Sequence, residues 1–298
     1  VMSHVDLNQN VFYPEGGIAG VVDAVADVAR EQGAEIETGV EVEGITGSAG
    51  NFSLATDAGD RRADVVVSNA NPAYVERELL ESSARNHDPD YWESQTYAPS
   101  ALLLYLGVEG DVDPLAHHSL VLPTDWDPHF EQIFDDPAWP DDPAYYLSVT
   151  SKTDDTVAPD GHHAVVVLVP IAPGLDDSPE QRAEYREFVL EDLADRTGVD
   201  LRDRIVVEES ACVNDFTTRF GDPDGTALGL AHTLRQTGPL RPDRRGGTTG
   251  LYYAGAYTRP GVGMPMCLIS GEHTARAIVE DAPVPGASPS KPRPDSTP

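Results

Sequence analysis

The sequence predicts an α/β fold, and three patterns carry that reading: apolar runs of strand length, longer runs whose apolar residues recur every three or four positions, and glycine or proline turns between them. The longest apolar stretches, Ala101–Leu106 and Ala164–Pro170, are strand-length. No run reaches the roughly 18 apolar residues of a membrane-spanning helix. A chain of 298 residues suffices for two domains or one large one.

Taken in order, Phe12–Gly17 reads as a turn before a helix over Ile18–Gln32, where Ile18, Val21, Val22, Val25, Val28 and Ala29 share one face. Gly33 stops that helix. Ala34–Glu37, Val40–Ile45, Asn51–Thr56 and Ala63–Ser68 alternate like short strands, with Gly39 and the Gly59-Asp60 turn between them. Asn69–Pro72 opens a helix to Leu80, proline being acceptable in its first turn. Ser100–Val108, Ser119–Leu122, Tyr145–Thr150 and Ala164–Pro170 are expected strands, and Trp126–Phe134 a short helix. Ser178-Pro179-Glu180-Gln181 is a capping box that starts a helix reaching Thr197. Arg204–Val213 and Tyr252–Ala256 are further strands, and Met264–Glu280 a helix. Residues 283–298 collapse to Pro, Ser, Gly and charge, the composition of a disordered tail.

The charge balance is extreme: 51 acidic against 20 basic residues, a formal net charge of -31. Such a polyanion repels phosphate backbones, so no nucleic acid is expected as a partner. Lys152 and Lys291 are the only lysines. An acidic, lysine-poor surface suits concentrated salt, where at about 1 M the screening length falls to roughly 3 Å; an acidic mesophilic protein is the alternative. Cys212 and Cys267 have no CxxC spacing, so a reduced intracellular compartment is expected, with neither zinc nor a disulfide framework. Val1–Asn10 has neither the basic nor the apolar region of a signal peptide, and the chain is read as a fragment of a longer one.

The most informative motif is Leu251–Gly271, where a strand ending at Gly255-Ala256 enters a helix through Gly261 and Gly263. Unpaired backbone N–H groups at a helix start favour anionic or electron-rich partners, and glycines let a flat ring approach the backbone. An ordinary glycine-rich loop between strand and helix is the competing reading of the same spacing. GxGxxG is absent, so the sequence does not supply the usual dinucleotide pyrophosphate turn. His117-His118 and His162-His163 are adjacent pairs that lack metal-ligand spacing, and no GxSxG marks a nucleophile.

Three ordered blocks resemble the phytoene (carotenoid) desaturase family of the amine-oxidase-like flavoproteins. They are Val11–Ile45, extended by Ala63–Ala70; Ser151–Asp154 and Ala158–His162 with Gly229–Pro242; and the glycine-rich run itself. The resemblance implies an FAD/NAD(P)-binding Rossmann-like domain, incomplete here, with an inserted mixed-sheet substrate-binding domain of α+β character. It places part of the FAD-binding domain, with the start of the substrate domain, in 1–82, the substrate-binding domain in 83–245, and the return to the FAD-binding domain in 246–282. It implies FAD held by Gly255, Ala256, Thr258, Gly261, Val262, Gly263, Met264 and Pro265, with Val42 contacting the adenosine through its backbone. It also implies a long carotenoid substrate, desaturated by hydride transfer to the flavin, and a cytoplasmic protein at a membrane surface. Tyr257 and Met266 replace smaller residues, and the pyrophosphate turn and ribose-binding acid are missing, so the isolated chain is expected to hold FAD weakly and to be inactive alone. A carotenoid isomerase or another amine-oxidase-like flavoprotein, and a non-catalytic flavin-fold remnant, are the alternatives.

Overall fold

The computed structural model describes residues 12–282. Contacts group the described residues into two compact units, one of residues 12–40 with 97–228 and one of residues 41–96 with 229–282. The expected tail, 283–298, lies outside the described residues.

In chain order, α1 (Ile18–Glu31) comes first, ended by Gly33 at φ 90°, and none of its residues is buried. The strands β1 (Val42–Thr46), β2 (Phe52–Thr56) and β3 (Arg61–Ala63) form a small antiparallel sheet in that order. After β4 (Val66–Ser68), Asn71 caps α2 (Pro72–Tyr74) by accepting from the Ala73 N–H at 2.8 Å, and a π-helical turn over Val75–Leu79 continues it. Next are α3 (Pro89–Glu93), β5 (Ser100–Glu109), β6 (His118–Val121), α4 (Trp126–Phe130), β7 (Tyr145–Val149), β8 (His162–Ile171) and α5 (Pro179–Thr197). The described chain ends through β9 (Ile205–Ala211), α6 (Val213–Phe220), β10 (Leu251–Tyr253) and α7 (Met264–Asp281).

The first unit is organised by the sheet β6-β7-β8-β5-β9. Leu102, Leu104, Leu106 and Val108 alternate along β5 toward one face, as do Val165, Val167, Val169 and Ile171 along β8, and all are buried. Tyr185, Val189, Leu190 and Leu193 of α5 close that face. The helix begins where the capping box predicts: the Ser178 hydroxyl accepts from the Gln181 N–H at 3.3 Å, and Gly198 ends the helix at φ 77°. The expectation of a mixed sheet here is corrected, because every neighbouring pair is antiparallel. The crossover through α5 joins β8 to β9, but β5 lies between them, so the two co-directional strands never pair.

In the second unit β10 pairs with β4 in parallel, Leu251 opposite Val66 and Tyr253 opposite Ser68. Its core joins Ile45, Phe52, Val66, Val75, Leu80, Leu251 and Tyr253. Parallel pairing of these distant strands is the α/β element that positions the glycine-rich run.

Three local readings change. Ala34–Glu37 forms no strand. Ala63–Ser68 is two strands, because Ala63 pairs with β2 whereas Val66 pairs with β10. Arg204–Val213 ends as a strand at Ala211, and Cys212 instead starts α6, its N–H donating to the Asp215 carboxylate at 2.9 Å. Residues up to 96 stay with the second unit because Thr96 exchanges hydrogen bonds with Gln236 and accepts from the Ala231 N–H.

Candidate functional site

The site grows out of β10. The Ala254 N–H continues the ladder to the Ser68 carbonyl (2.9 Å), and the Asn69 amide donates to the Ala254 carbonyl (2.9 Å). Gly255 then turns the chain at φ 109°, where an added Cβ would stand 2.3 Å from Asn69 Nδ2. Glycine is required here by both backbone and space.

Side chains of α7 reach back to hold this turn. Ser270 Oγ accepts from the Gly255 N–H (2.9 Å) and shares a hydrogen bond with Thr258 Oγ1 (2.7 Å). Thr274 Oγ1 donates to the Tyr253 carbonyl (3.0 Å). Thr258, named from the resemblance as a cofactor residue, is buried with its hydroxyl on the Gly255 carbonyl and Ser270, so its visible task is to fix the turn. Val42 is placed apart from the turn. It pairs with Thr56 at a bulge in β1 and packs against the core beneath β10.

Beyond the turn, Gly261 (φ 129°) and Gly263 (φ 122°) lead into α7. A Cβ on Gly261 would meet His232 Nε2 at 2.4 Å, whereas one on Gly263 meets only Met266 Cγ at 3.8 Å. Gly263 caps α7 without a side-chain hydrogen bond, Pro265 has no N–H, and the first backbone bond of the helix is Cys267 N–H to the Gly263 carbonyl. The Met264 and Met266 N–H groups therefore have no acceptor among the described residues. Gly261, Val262, Gly263, Met264 and Pro265 thus form one glycine-lined helix start, and the turn at Gly255 and Ala256 is tied to the same helix through Ser270.

Sequence reasoning assigned no supporting role to the residues packed around β10 and this turn. Glu76 is 1% exposed and accepts from Trp92 Nε1 (3.0 Å), the His87 N–H (3.2 Å) and the Asn86 N–H (3.4 Å), with the Tyr253 hydroxyl at 3.5 Å. Burial, then the Glu76 charge, pushes the Tyr253 phenol upward. Tyr257 is buried and accepts from the Asn71 amide (2.8 Å). Its ring fills the space a Cβ on Gly229 would need, Cε2 lying 2.8 Å from that point. Arg241 is 2% exposed and binds the Ala256 carbonyl through Nη2 (2.7 Å) and Nε (3.2 Å). Desolvation draws its pKa down, opposed by Tyr257. Burial and then the Arg241 charge hold the His232 imidazole below its usual pKa. No group of three or more His, Cys, Asp or Glu suited to a metal occurs among the described residues.

These features fit one edge of a flavin: a cradle in which a Cβ would intrude, and N–H donors at a helix start with no acceptor among the described residues.

Comparison with known proteins agrees. The chain is 61% identical over 283 residues to a carotenoid 3,4-desaturase of Haloarcula japonica, covering 94% of this chain and 57% of that protein. It is 30% identical to a zeta-carotene-forming phytoene desaturase of Myxococcus xanthus (97% and 56% covered) and 31% identical to a 4,4'-diaponeurosporene oxygenase of Staphylococcus aureus (93% and 57%). The chain therefore spans just over half the length of these curated relatives. Among solved structures, an oxidoreductase from Methanosarcina mazei matches with a TM-score of 0.58 at 19% identity, covering 88% of this chain and 55% of that one. A redesigned putrescine oxidase matches with a TM-score of 0.56 at 12% identity (90% and 53%). These structures share the fold. With the family of flavin containing amine oxidoreductases matched over residues 5–279, across both units and the glycine-lined helix start, this chain belongs to that family.

Proposed function

We propose that the chain carries the flavin-edge half of the active site of an FAD-dependent carotenoid desaturase acting on phytoene or a later carotenoid. The observation that carries this reading is the 61% identity to a carotenoid 3,4-desaturase across 94% of the chain.

Removing two hydrogens from adjacent saturated carbons needs a hydride acceptor, which a bound FAD supplies and no side chain here can. The chain's own residues shape and polarise the place where the ring lies. Gly261 and Gly263 permit close approach, and the Met264 and Met266 N–H groups favour an electron-rich edge. Ser270 and Thr258 hold the Gly255 peptide against reorientation. Tyr257 and Trp92, both buried, keep water from the back of the turn.

A carotenoid substrate supports the reading of a cytoplasmic protein that works against a membrane surface. No described helix is long and apolar enough to cross a membrane. Trp126, Phe130 and Phe134, each more than a third exposed and in successive ring contact along α4 and the turn after it, support peripheral contact.

The test is expression of the complete gene in a phytoene-accumulating host, with mass analysis of the pigment. Products that have lost pairs of hydrogens are expected. A product that gains oxygen would favour an oxygenase like the staphylococcal relative, and unchanged pigment beside a flavin-loaded protein would overturn the desaturase reading.

A further inference from the structure

Arg241 has no parallel among the buried groups of the described residues. It is one of the largest fully buried side chains, and all its hydrogen bonds go to main-chain carbonyls: Ala256 through Nε and Nη2, Gln236 through Nη1 (3.2 Å), and Leu230 through Nη2 (3.2 Å). No carboxylate forms an ion pair with it, although Arg182, Arg186, Arg196, Arg202, Arg245 and Arg276 all have one. In a chain with 51 acidic residues, a cation left without an acid in the interior needs another explanation. Desolvating a guanidinium is costly, carbonyl dipoles offset only part of that cost, and this side chain stays charged throughout the physiological range.

Its two bonds to Ala256 put this charge against the turn that precedes the glycine-lined helix start, where the flavin reading sets the ring edge. We infer that Arg241 is a positioning residue for the flavin: it fixes the Ala256 peptide and supplies a buried positive charge that favours the reduced ring over the oxidised one. The inference rests on the flavin reading of this site. Hydride transfer delivers two electrons and one proton, so the reduced ring gains a negative charge unless it also takes a proton from water. A fixed cation in a low-dielectric setting stabilises that charge. A guanidinium does so while its fork also locks the carbonyl, a combination that lysine reproduces only in charge.

The experiment uses the complete, FAD-loaded protein and two variants, Arg241→Gln and Arg241→Lys, with FAD as the probe. Arg241→Gln is expected to weaken binding of reduced FAD about tenfold more than binding of oxidised FAD, which lowers the two-electron midpoint potential by about 30 mV. Arg241→Lys is expected to weaken both redox states while keeping the potential near that of the parent. Equal weakening of both states by Arg241→Gln would reduce Arg241 to a fold-holding residue and overturn the inference. Should either variant fail to fold, the parent protein decides alone. Uptake of one proton per two electrons, a slope of about 30 mV per pH unit between about pH 6 and pH 8, supports a charge-stabilised reduced ring. Uptake of two protons overturns it. A complete protein that binds no FAD overturns the flavin reading itself, and carotenoid turnover enters none of these readouts.

Discussion

The two units close their interiors by different means. Around β5 and β8 the first unit buries an alternation of Leu, Val and Ile that makes up most of its core, and it also buries Ser100, His129, Asp154, Asp177 and Thr226. Around β10 the second unit buries Asn71, Glu76, Gln236, Arg241, Thr258, Ser270 and Thr274 beside a smaller apolar cluster. Apolar burial is non-directional and gives a unit its stability, whereas buried hydrogen bonds fix particular peptide orientations. The difference teaches which unit is built to persist and which is built to hold a shape. The sharpest way to break the contrast is Leu104→Ala, at a fully buried position opposite Val167. We expect a loss of about 2–5 kcal/mol in urea unfolding. Hydrogen exchange should rise first in β5, β8 and β9. Equal acceleration in β4 and β10 would mean that the units do not differ as described.

The corresponding change in the second unit is Glu76→Ala. It removes the carboxylate that accepts from the buried Trp92 Nε1 and from the His87 and Asn86 N–H groups, at a cost of about 1–3 kcal/mol. Glu76→Gln keeps an acceptor oxygen for Trp92 and should recover part of that loss. Urea unfolding followed by tryptophan fluorescence reads both variants. An alanine variant within about 0.5 kcal/mol of the parent would show that the polar network contributes no stability of its own.

How much of this was legible beforehand follows the same division. The first unit could be read because its signals are local: alternation gives β5 and β8, and Ser178 with Gln181 marks the start of α5 within one turn. The helix α6 escaped because Cys212 replaces the usual capping Ser, Thr, Asp or Asn, so the apolar run looked like continuous strand. The glycine-lined helix start was legible from its spacing. Its supports were not, since Asn69 meets Ala254 across 185 residues, Tyr253 meets Glu76 across 177, and Arg241 appeared in the sequence only as part of an Arg-Pro pair. Periodicity reports which face an element buries, and it carries no information about which distant carbonyl a side chain will find.

The glycines themselves sharpen the comparison with a smaller expected effect on stability. A side chain at Gly263 costs about 1–3 kcal/mol in backbone strain at φ 122°, and that cost is common to Gly263→Ala and Gly263→Val. The valine alone adds bulk to the space in front of the helix start, where the nearest heavy atom is Met266 Cγ at 3.8 Å. The two variants of the complete protein should therefore unfold at similar urea concentrations, while only the valine loses flavin, read from the flavin absorbance per protein after purification. Equal retention of flavin by both would place the ring elsewhere.

The smallest expected effect comes from charge at the far end of the same unit. Asp281, at the end of α7, accepts from Arg245 through Nε (2.7 Å) and Nη2 (3.1 Å) and from the Tyr252 hydroxyl (2.9 Å). Arg245 first, and Tyr252 after it, hold the carboxyl below its ordinary value. A carboxyl whose folded-state pKa is depressed stabilises the fold above its unfolded value near 3.9, and that contribution is lost as pH falls through the folded value. The aspartate side chain is 38% exposed, so Asp281→Asn should cost only about 0–1 kcal/mol at neutral pH and low salt. The asparagine oxygen still accepts from Tyr252, so what the substitution removes is the charge. The gap between parent and variant in urea midpoint should accordingly shrink in about 1 M salt and close as the pH drops below that of the ordinary carboxylate. A gap that survives both conditions would assign the contribution to packing at the end of α7, making this corner of the second unit as apolar in its energetics as the β5–β8 core.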